Sequence, residues 1–176
     1  MRDKEDQFIG LHKIPNYETL QRFADRYPEL DPQALTASLT LLCVGTQLQE
    51  AFCAHFSRYG LSHGRFRVLV MLLRAGEDGM SPAELAQLIG VTRATMTGLI
   101  DGLAADDLLR RRENEQDRRQ KRIALTSKGR RLVERLLPDH FRRITAMMAG
   151  LSEGELQSLV HLLNKVAPGL PALRDP

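Results

Sequence analysis

The run SPAELAQLIGVTRATMTGLIDGL, Ser81 to Leu103, holds two helix starts and one helix stop in close succession. Ser81-Pro82-Ala83-Glu84 is a capping box with proline at the first helical position. The serine hydroxyl satisfies a free backbone N–H three residues on, the glutamate reaches back, and proline has no N–H to leave unpaired. The short helix that follows, through Leu85, Leu88 and Ile89, is broken by Gly90, and Thr92 caps a further helix. There Met96, Leu99, Ile100 and Leu103 recur at i, i+3, i+4 and i+7, which makes one narrow buried stripe. Helix, tight glycine turn and helix form a helix-turn-helix.

The face opposite that stripe presents Ala94, Thr97, Gly98 and Asp101, with Thr95 and Gly102 at its edge, and is small and polar. Each helical glycine costs about 1 kcal/mol relative to alanine, a penalty that close approach of another body to the backbone explains. A DNA major groove is such a body. Thr92, Arg93, Thr95 and Thr97 lie in the first turns, where a recognition helix reaches base edges and phosphates, and Arg93 can grip guanine O6 and N7 together. A solvated helix face would show the same pattern, so the neighbouring sequence has to arbitrate.

After this helix, Leu108 to Arg112 and Arg122 to Thr126 read as short strands joined by the polar stretch Glu113 to Lys121. The hairpin carries Arg118, Arg119 and Lys121 near its tip, and a narrow minor groove attracts inserted arginines. Asp117, two residues before Arg119, is placed to hold that guanidinium extended. From Arg110 to Arg131 ten Lys and Arg face three acids, a local charge of +7 in a chain whose total is +3. Basicity gathered in one segment of an otherwise acidic chain suits a polyanion-binding surface.

Thr126-Ser127 caps a long helix with Leu132, Val133, Leu136, Phe141, Ile144 and Met148, which Pro138 should kink without ending. Ser152-Glu153-Gly154-Glu155 is another capping box, opening a last helix through Leu156, Leu159, Val160, Leu163 and Val166. The tail from Pro168 to Pro176 is expected to fray.

Toward the N-terminus, Ser62 opens a helix with Phe66, Leu69, Val70 and Leu73 that stops at Ala75 to Gly79. Before it, Asp31 and Pro32 start a long helix carrying Leu41, Val44, Leu48, Phe52, Phe56 and Tyr59, with Gly60 as its left-handed terminator. Leu35, Leu39, Leu42, Ala51 and Cys53 make it apolar on more than one face, which a second subunit would cover. Residues before Asp31 read as an extension with one short helix, Tyr17 to Arg26. The expected organisation is an extension (1–30), a dimerisation helix (31–60), a DNA-binding lobe (61–126), C-terminal dimerisation helices (127–167) and a tail (168–176).

With 27% charged and 43% apolar residues, 176 residues suit a single globular domain. The longest apolar stretches, Leu39 to Val44 and Val68 to Leu73, are too short to span a bilayer, and Met1 to Asp6 leads into no signal-peptide stretch, so a cytoplasmic protein is expected. Catalytic, metal and cofactor sites are not expected: no Ser-His-Asp set is placed by motif, no GxxxxGK[ST] loop occurs, and His12, His140 and His161 lack metal spacing.

The residues Ser81 to Ala86, Gly90 to Thr97, Leu99 to Leu103, then Asp117-Arg118-Arg119 and Leu125-Thr126, resemble the MarR family of winged helix-turn-helix regulators over roughly Leu35 to Val166. Asp-x-Arg followed by Leu-Thr is that family's wing signature. The resemblance implies a mainly α fold with a small β-hairpin wing, a winged helix-turn-helix domain flanked by N- and C-terminal dimerisation helices. It implies a homodimer on a pseudo-palindromic double-stranded DNA operator, with recognition helices in successive major grooves and wings in the flanking minor grooves. It further implies repression relieved by a small, often aromatic ligand or an oxidant acting between the dimerisation helices and the DNA-binding lobe. On this reading DNA is contacted by Thr92, Arg93, Ala94, Thr95, Thr97, Gly98, Arg118, Arg119 and Lys121, with Asp117 orienting Arg119. Two departures stand out: Gly98 where many members carry a basic residue, and Asp107 where a glycine usually ends the recognition helix. The extension is also longer than the family minimum, and is expected to add a helix to the dimer interface.

His55, His63 and Arg67 lie at the junction of the first two long helices, the place of the family's ligand cleft, and suit a carboxylate or phenolate; ordinary surface polar groups would read the same way. Cys43 and Cys53 are read as small buried hydrophobes, with redox sensing as the alternative; about 80° out of register on one helix, they cannot bridge within it. A winged helix used for protein-protein contact is the remaining rival, against which the basic wing counts.

Overall fold

The computed structural model describes residues 17–113 and 121–173. The chain divides into two compact units, Met1–Phe66 and Arg67–Pro176. In the first, α1 (Tyr17–Arg26) buries Leu20 completely, and α2 (Pro32–Ser57) starts where expected. The Asp31 carboxylate accepts from the N–H groups of Gln33 and Ala34 at 2.8 and 3.1 Å, satisfying two of the helix's unpaired donors. The regular helix ends at Ser57, and Gly60, with φ +67°, closes the turn after it. Leu61 N–H returns to the Phe56 carbonyl and Gly60 N–H to that of Ser57, so the left-handed residue satisfies carbonyls the helix end would otherwise leave unpaired. Much of α2 is uncovered in the single chain: Leu41, Leu42, Val44 and Cys53 are all exposed, and Cys43 is half-buried. The expectation of two buried thiols therefore does not hold within one chain.

α3 (His63–Ala75) carries the chain into the second unit, with Ser62 as its cap and Val68, Leu69 and Leu72 fully buried. A 3₁₀ turn (Gly76–Asp78) leads to α4 (Pro82–Ile89), α5 (Arg93–Ala105), an antiparallel hairpin of β1 (Leu109–Glu113) and β2 (Lys121–Leu125), then α6 (Ser127–Met147) and α7 (Glu153–Val166). The core gathers Leu85, Met96, Ile100, Leu103, Leu109, Ile123, Leu125, Val133 and Leu136. Burial of each such aliphatic side chain contributes about 1.5–3 kcal/mol. In α4 Leu85, Ala86 and Ile89 are buried, whereas Leu88 is exposed.

α6 runs through Pro138 without ending. Beyond that proline no residue of α6 is fully buried, and Phe141 is 59% and Met147 47% exposed. No residue of α7 is buried, although Leu159, Val160, Leu162, Leu163 and Val166 lie on it. The tail expected to fray continues as 3₁₀ turns (Ala167–Leu173), which the fixed φ of Pro168 and Pro171 accommodates. No helix among the described residues is long and apolar enough to cross a membrane.

Candidate nucleic-acid interface

Local chemistry builds the helix pair. Ser81 Oγ accepts from Glu84 N–H at 3.2 Å while Glu84 Oε2 accepts from Ser81 N–H at 2.7 Å. Hydrogen bonds to the carboxylate from the Ser81 backbone N–H and from the Ser81 hydroxyl hold the Glu84 carboxyl below its ordinary range, with the charge of Arg122 adding to them. Gly90, at φ +72° and ψ +41°, donates to the Ala86 and Gln87 carbonyls and turns the chain into α5. Thr92 Oγ1 caps α5 by accepting from Thr95 N–H at 3.1 Å, and lies 2.9 Å from the Thr95 hydroxyl. Thr97 Oγ1 donates to the Arg93 carbonyl at 3.0 Å. Met96, Ile100 and Leu103 are buried and Leu99 is half-buried, as the stripe requires; Thr92, Arg93, Ala94, Thr95, Thr97 and Gly98 are all exposed. A Cβ added at Gly98 would meet nothing within 4 Å, so nothing described in the chain itself demands a glycine there.

The far end of α5 is a Schellman stop built on an aspartate. Asp107, with φ +58°, is the one non-glycine residue of positive φ among those described. Its N–H donates to the Ala104 carbonyl and that of Leu108 to the Leu103 carbonyl, both at 2.9 Å. Leu103 and Leu108 are both buried beneath the turn. Thr126 then ties this stop to α6: its hydroxyl donates to the Asp107 carbonyl at 2.8 Å and accepts from Gly129 N–H at 3.0 Å. Gly129 is obligatory, since a Cβ there would lie 2.1 Å from the Leu108 carbonyl oxygen.

Both strands of the hairpin lie one residue nearer the loop than expected. Leu108 belongs to the helix stop, so β1 begins at Leu109, and Lys121 opens β2 opposite Glu113 instead of lying near the loop tip. Lys121 is exposed. Met80 forms a bridge to Ile123 on the other edge of β2, with bonds of 2.9 and 2.8 Å in the two directions. Gly79, at φ +63°, allows this approach, because a Cβ would come 2.1 Å from the Ile123 carbonyl oxygen. Asp117, Arg118 and Arg119 lie outside the described residues.

Much of the basic run is engaged within the chain. Arg110 meets Glu77 Oε2 at 2.9 Å, and Arg112 reaches the same oxygen at 3.6 Å and the Glu77 carbonyl at 3.1 Å. Arg130 meets Glu77 Oε1 at 3.4 Å, and Arg122 donates to the Asp78 and Gly79 carbonyls, each at 2.8 Å. Arg111 pairs with Asp101 of α5, and Lys128 donates to the Asp106 carbonyl at 2.7 Å. The run is therefore less an open basic surface than the count of charges suggests. The sequence reading missed Glu77, whose partners lie 33, 35 and 53 residues away. It also missed Gly129, whose only signal was a glycine in the first turn of a helix.

Of the candidate ligand residues, His55 and His63 join an aromatic cluster in the first unit. The His55 ring lies 5.0 Å from Phe56 and 5.7 Å from Tyr59; His63 stacks on Phe56 at 5.5 Å and meets Phe52 at 5.2 Å. Phe56 stacks in turn on Phe66 at 4.2 Å. His55 is 7% exposed, so the reading as a surface polar group fails for it. Arg67 is exposed on α3. Among the described residues no group of three His, Cys, Asp or Glu is placed to hold a metal ion.

A model described as the MarR family matches residues 59–120. The HTH-type transcriptional repressor YetL of Bacillus subtilis (strain 168) is 34% identical over 167 residues, spanning 95% of this chain and 100% of the relative. Among solved structures, the S. aureus MepR-DNA complex aligns with a TM-score of 0.67 at 22% identity, covering 76% of this chain and 95% of that one. CouR from Rhodococcus jostii RHA1 bound to p-coumaroyl-CoA aligns with a TM-score of 0.64 at 25% identity, covering 74% and 91%. The chain belongs to the MarR family of winged helix-turn-helix transcription regulators.

Proposed function

We propose that the protein is a cytoplasmic, sequence-specific DNA-binding repressor that grips a pseudo-palindromic operator as a homodimer and is released by a small ligand. The observation that carries this reading is the exposed start of α5: Arg93, Ala94, Thr95, Thr97 and Gly98 form a small polar surface around one long cation, with a glycine that nothing within the described chain requires. On it, Arg93 reads a guanine edge, Thr92, Thr95 and Thr97 contact bases and phosphates, and Ala94 and Gly98 let the helix sit close. Arg118 and Arg119 enter the minor groove, Asp117 orients Arg119, and Lys121 faces phosphate. The name of the B. subtilis relative supports repression.

A second copy of the chain covers the apolar residues left exposed on α2, on α6 beyond Pro138 and on α7, a surface that a monomer would not keep in water. The ligand is an aromatic acid or its thioester, in keeping with the p-coumaroyl-CoA held by CouR. In the first unit, His55 and His63, set among Phe52, Phe56, Tyr59 and Phe66, supply ring surfaces of the kind such a molecule needs.

Fluorescence anisotropy tests the reading, with DNA from upstream of the protein's own gene against scrambled DNA at two salt concentrations. Tight, selective binding that weakens steeply with salt is expected. Absence of binding to either duplex would overturn it and favour a wing used for protein contact.

A further inference from the structure

Arg112 and Arg122 face each other across the hairpin, one register step before Glu113 and Lys121, where the described strands end. Like charges opposite one another on a sheet repel, yet neither guanidinium here is left to do so. Arg112 is taken up by the Glu77 carboxylate and carbonyl, and Arg122 by the carbonyls of Asp78 and Gly79. Arg110, on the same face of β1, and Arg130, in the first turns of α6, close on the same carboxylate. One short turn, locked to β2 by the Met80–Ile123 bridge and by the close fit of Gly79, thus gathers four arginines from three elements. Among the described residues, the Glu77 carboxylate is the one with which Arg110, Arg112 and Arg130 form ion pairs.

We infer that Glu77 is the positioning residue of the wing: its carboxylate draws together Arg110, Arg112 and Arg130 and so holds the base of the hairpin at the angle from which the loop meets DNA. The inference rests on the proposed DNA-binding reading. Its energetic weight lies in orientation, because ion pairs this exposed contribute little to folding stability.

Removing an acid from a DNA-binding protein ordinarily strengthens binding by raising its net charge. The positioning role demands the opposite. Glu77→Gln keeps the side chain's shape but leaves three guanidiniums uncompensated, so the hairpin base splays and the loop loses its place. Glu134→Gln, on an exposed site of α6, makes the same change of charge and serves as the control. Both variants and the parent protein are titrated with operator DNA across a range of salt concentrations, and their thermal midpoints are compared. Glu77→Gln is expected to weaken operator binding about fivefold and to lower the salt slope by about one, the loss of one phosphate contact. Glu134→Gln should bind as well as the parent or better, with all three midpoints close together. A Glu77→Gln slope equal to the parent's, or steeper, overturns the inference: the arginines would then be indifferent to Glu77 or merely withheld by it. A drop in midpoint with an unchanged slope overturns it in favour of a folding role. If the parent itself shows no salt-dependent DNA binding, it is the DNA-binding reading that falls.

Discussion

Gly98→Ala separates what the fold needs from what the partner needs. Gly98 lies inside α5 on its exposed face, and a Cβ there meets no atom within 4 Å. Alanine is favoured over glycine inside a helix by about 0.8–1.0 kcal/mol, and with no clash to offset it the substitution should stabilise the protein by about that amount. If α5 enters the major groove with its backbone near the DNA, the new methyl group holds the helix off, and operator affinity falls about tenfold, or about 1.4 kcal/mol, within the range of one mismatched base pair. Urea unfolding at fixed protein concentration, with the slope m checked for constancy, gives the first quantity, and anisotropy titration the second. The opposite signs carry the argument. A variant that is more stable and binds operator as well as the parent would refute close approach at Gly98. A less stable variant would refute the open surroundings of that residue.

Other substitutions probe the scaffold. Gly129→Ala places a methyl 2.1 Å from the Leu108 carbonyl oxygen, so despite its better helix propensity it should destabilise by about 2 kcal/mol or more, seen as a lower urea midpoint. Asp107→Gly relieves a left-handed conformation unfavourable to an L side chain and should raise stability by about 0.5–1 kcal/mol, net of the greater freedom of glycine in the unfolded chain. Ser81→Ala removes one half of the capping box and should cost about 1 kcal/mol. Because the Glu84 carboxyl is held below its ordinary value of 4.5, its contribution is complete above that pH and lost as pH falls through the folded-state value. The stability gap between the parent and Glu84→Gln should therefore close on acidification, and a gap that widened would contradict the assignment.

How far the sequence was legible depended on the distance over which each feature is decided. The caps at Asp31, Ser81, Thr92, Thr126 and Ser152 are settled within three residues, and each lies where its sequence places it. The stripe of α5 was readable for the same reason. The bounds of the hairpin strands were not, because the Asp107 turn, settled by the fold around it, claims Leu108. The charge of the Arg110–Arg131 run was plain in the sequence, but its use was not. Glu77 sits in what read as a simple turn, and only folding brings Arg110, Arg112 and Arg130 to it. The proximity of His55 to Phe56 and Tyr59 was readable from helical spacing, but its burial was not.

The central claim is that α5 reads DNA sequence through its exposed first turns, with Arg93 as the base-reading cation. Selection of bound duplexes from a random library, run in parallel with the parent protein and Arg93→Ala, tests it most directly. The account predicts that the parent enriches a pseudo-palindrome with a guanine in each half-site, and that Arg93→Ala loses preference at that position, by about 1–3 kcal/mol per site, while keeping the rest of the motif. An unaltered motif from Arg93→Ala would contradict it.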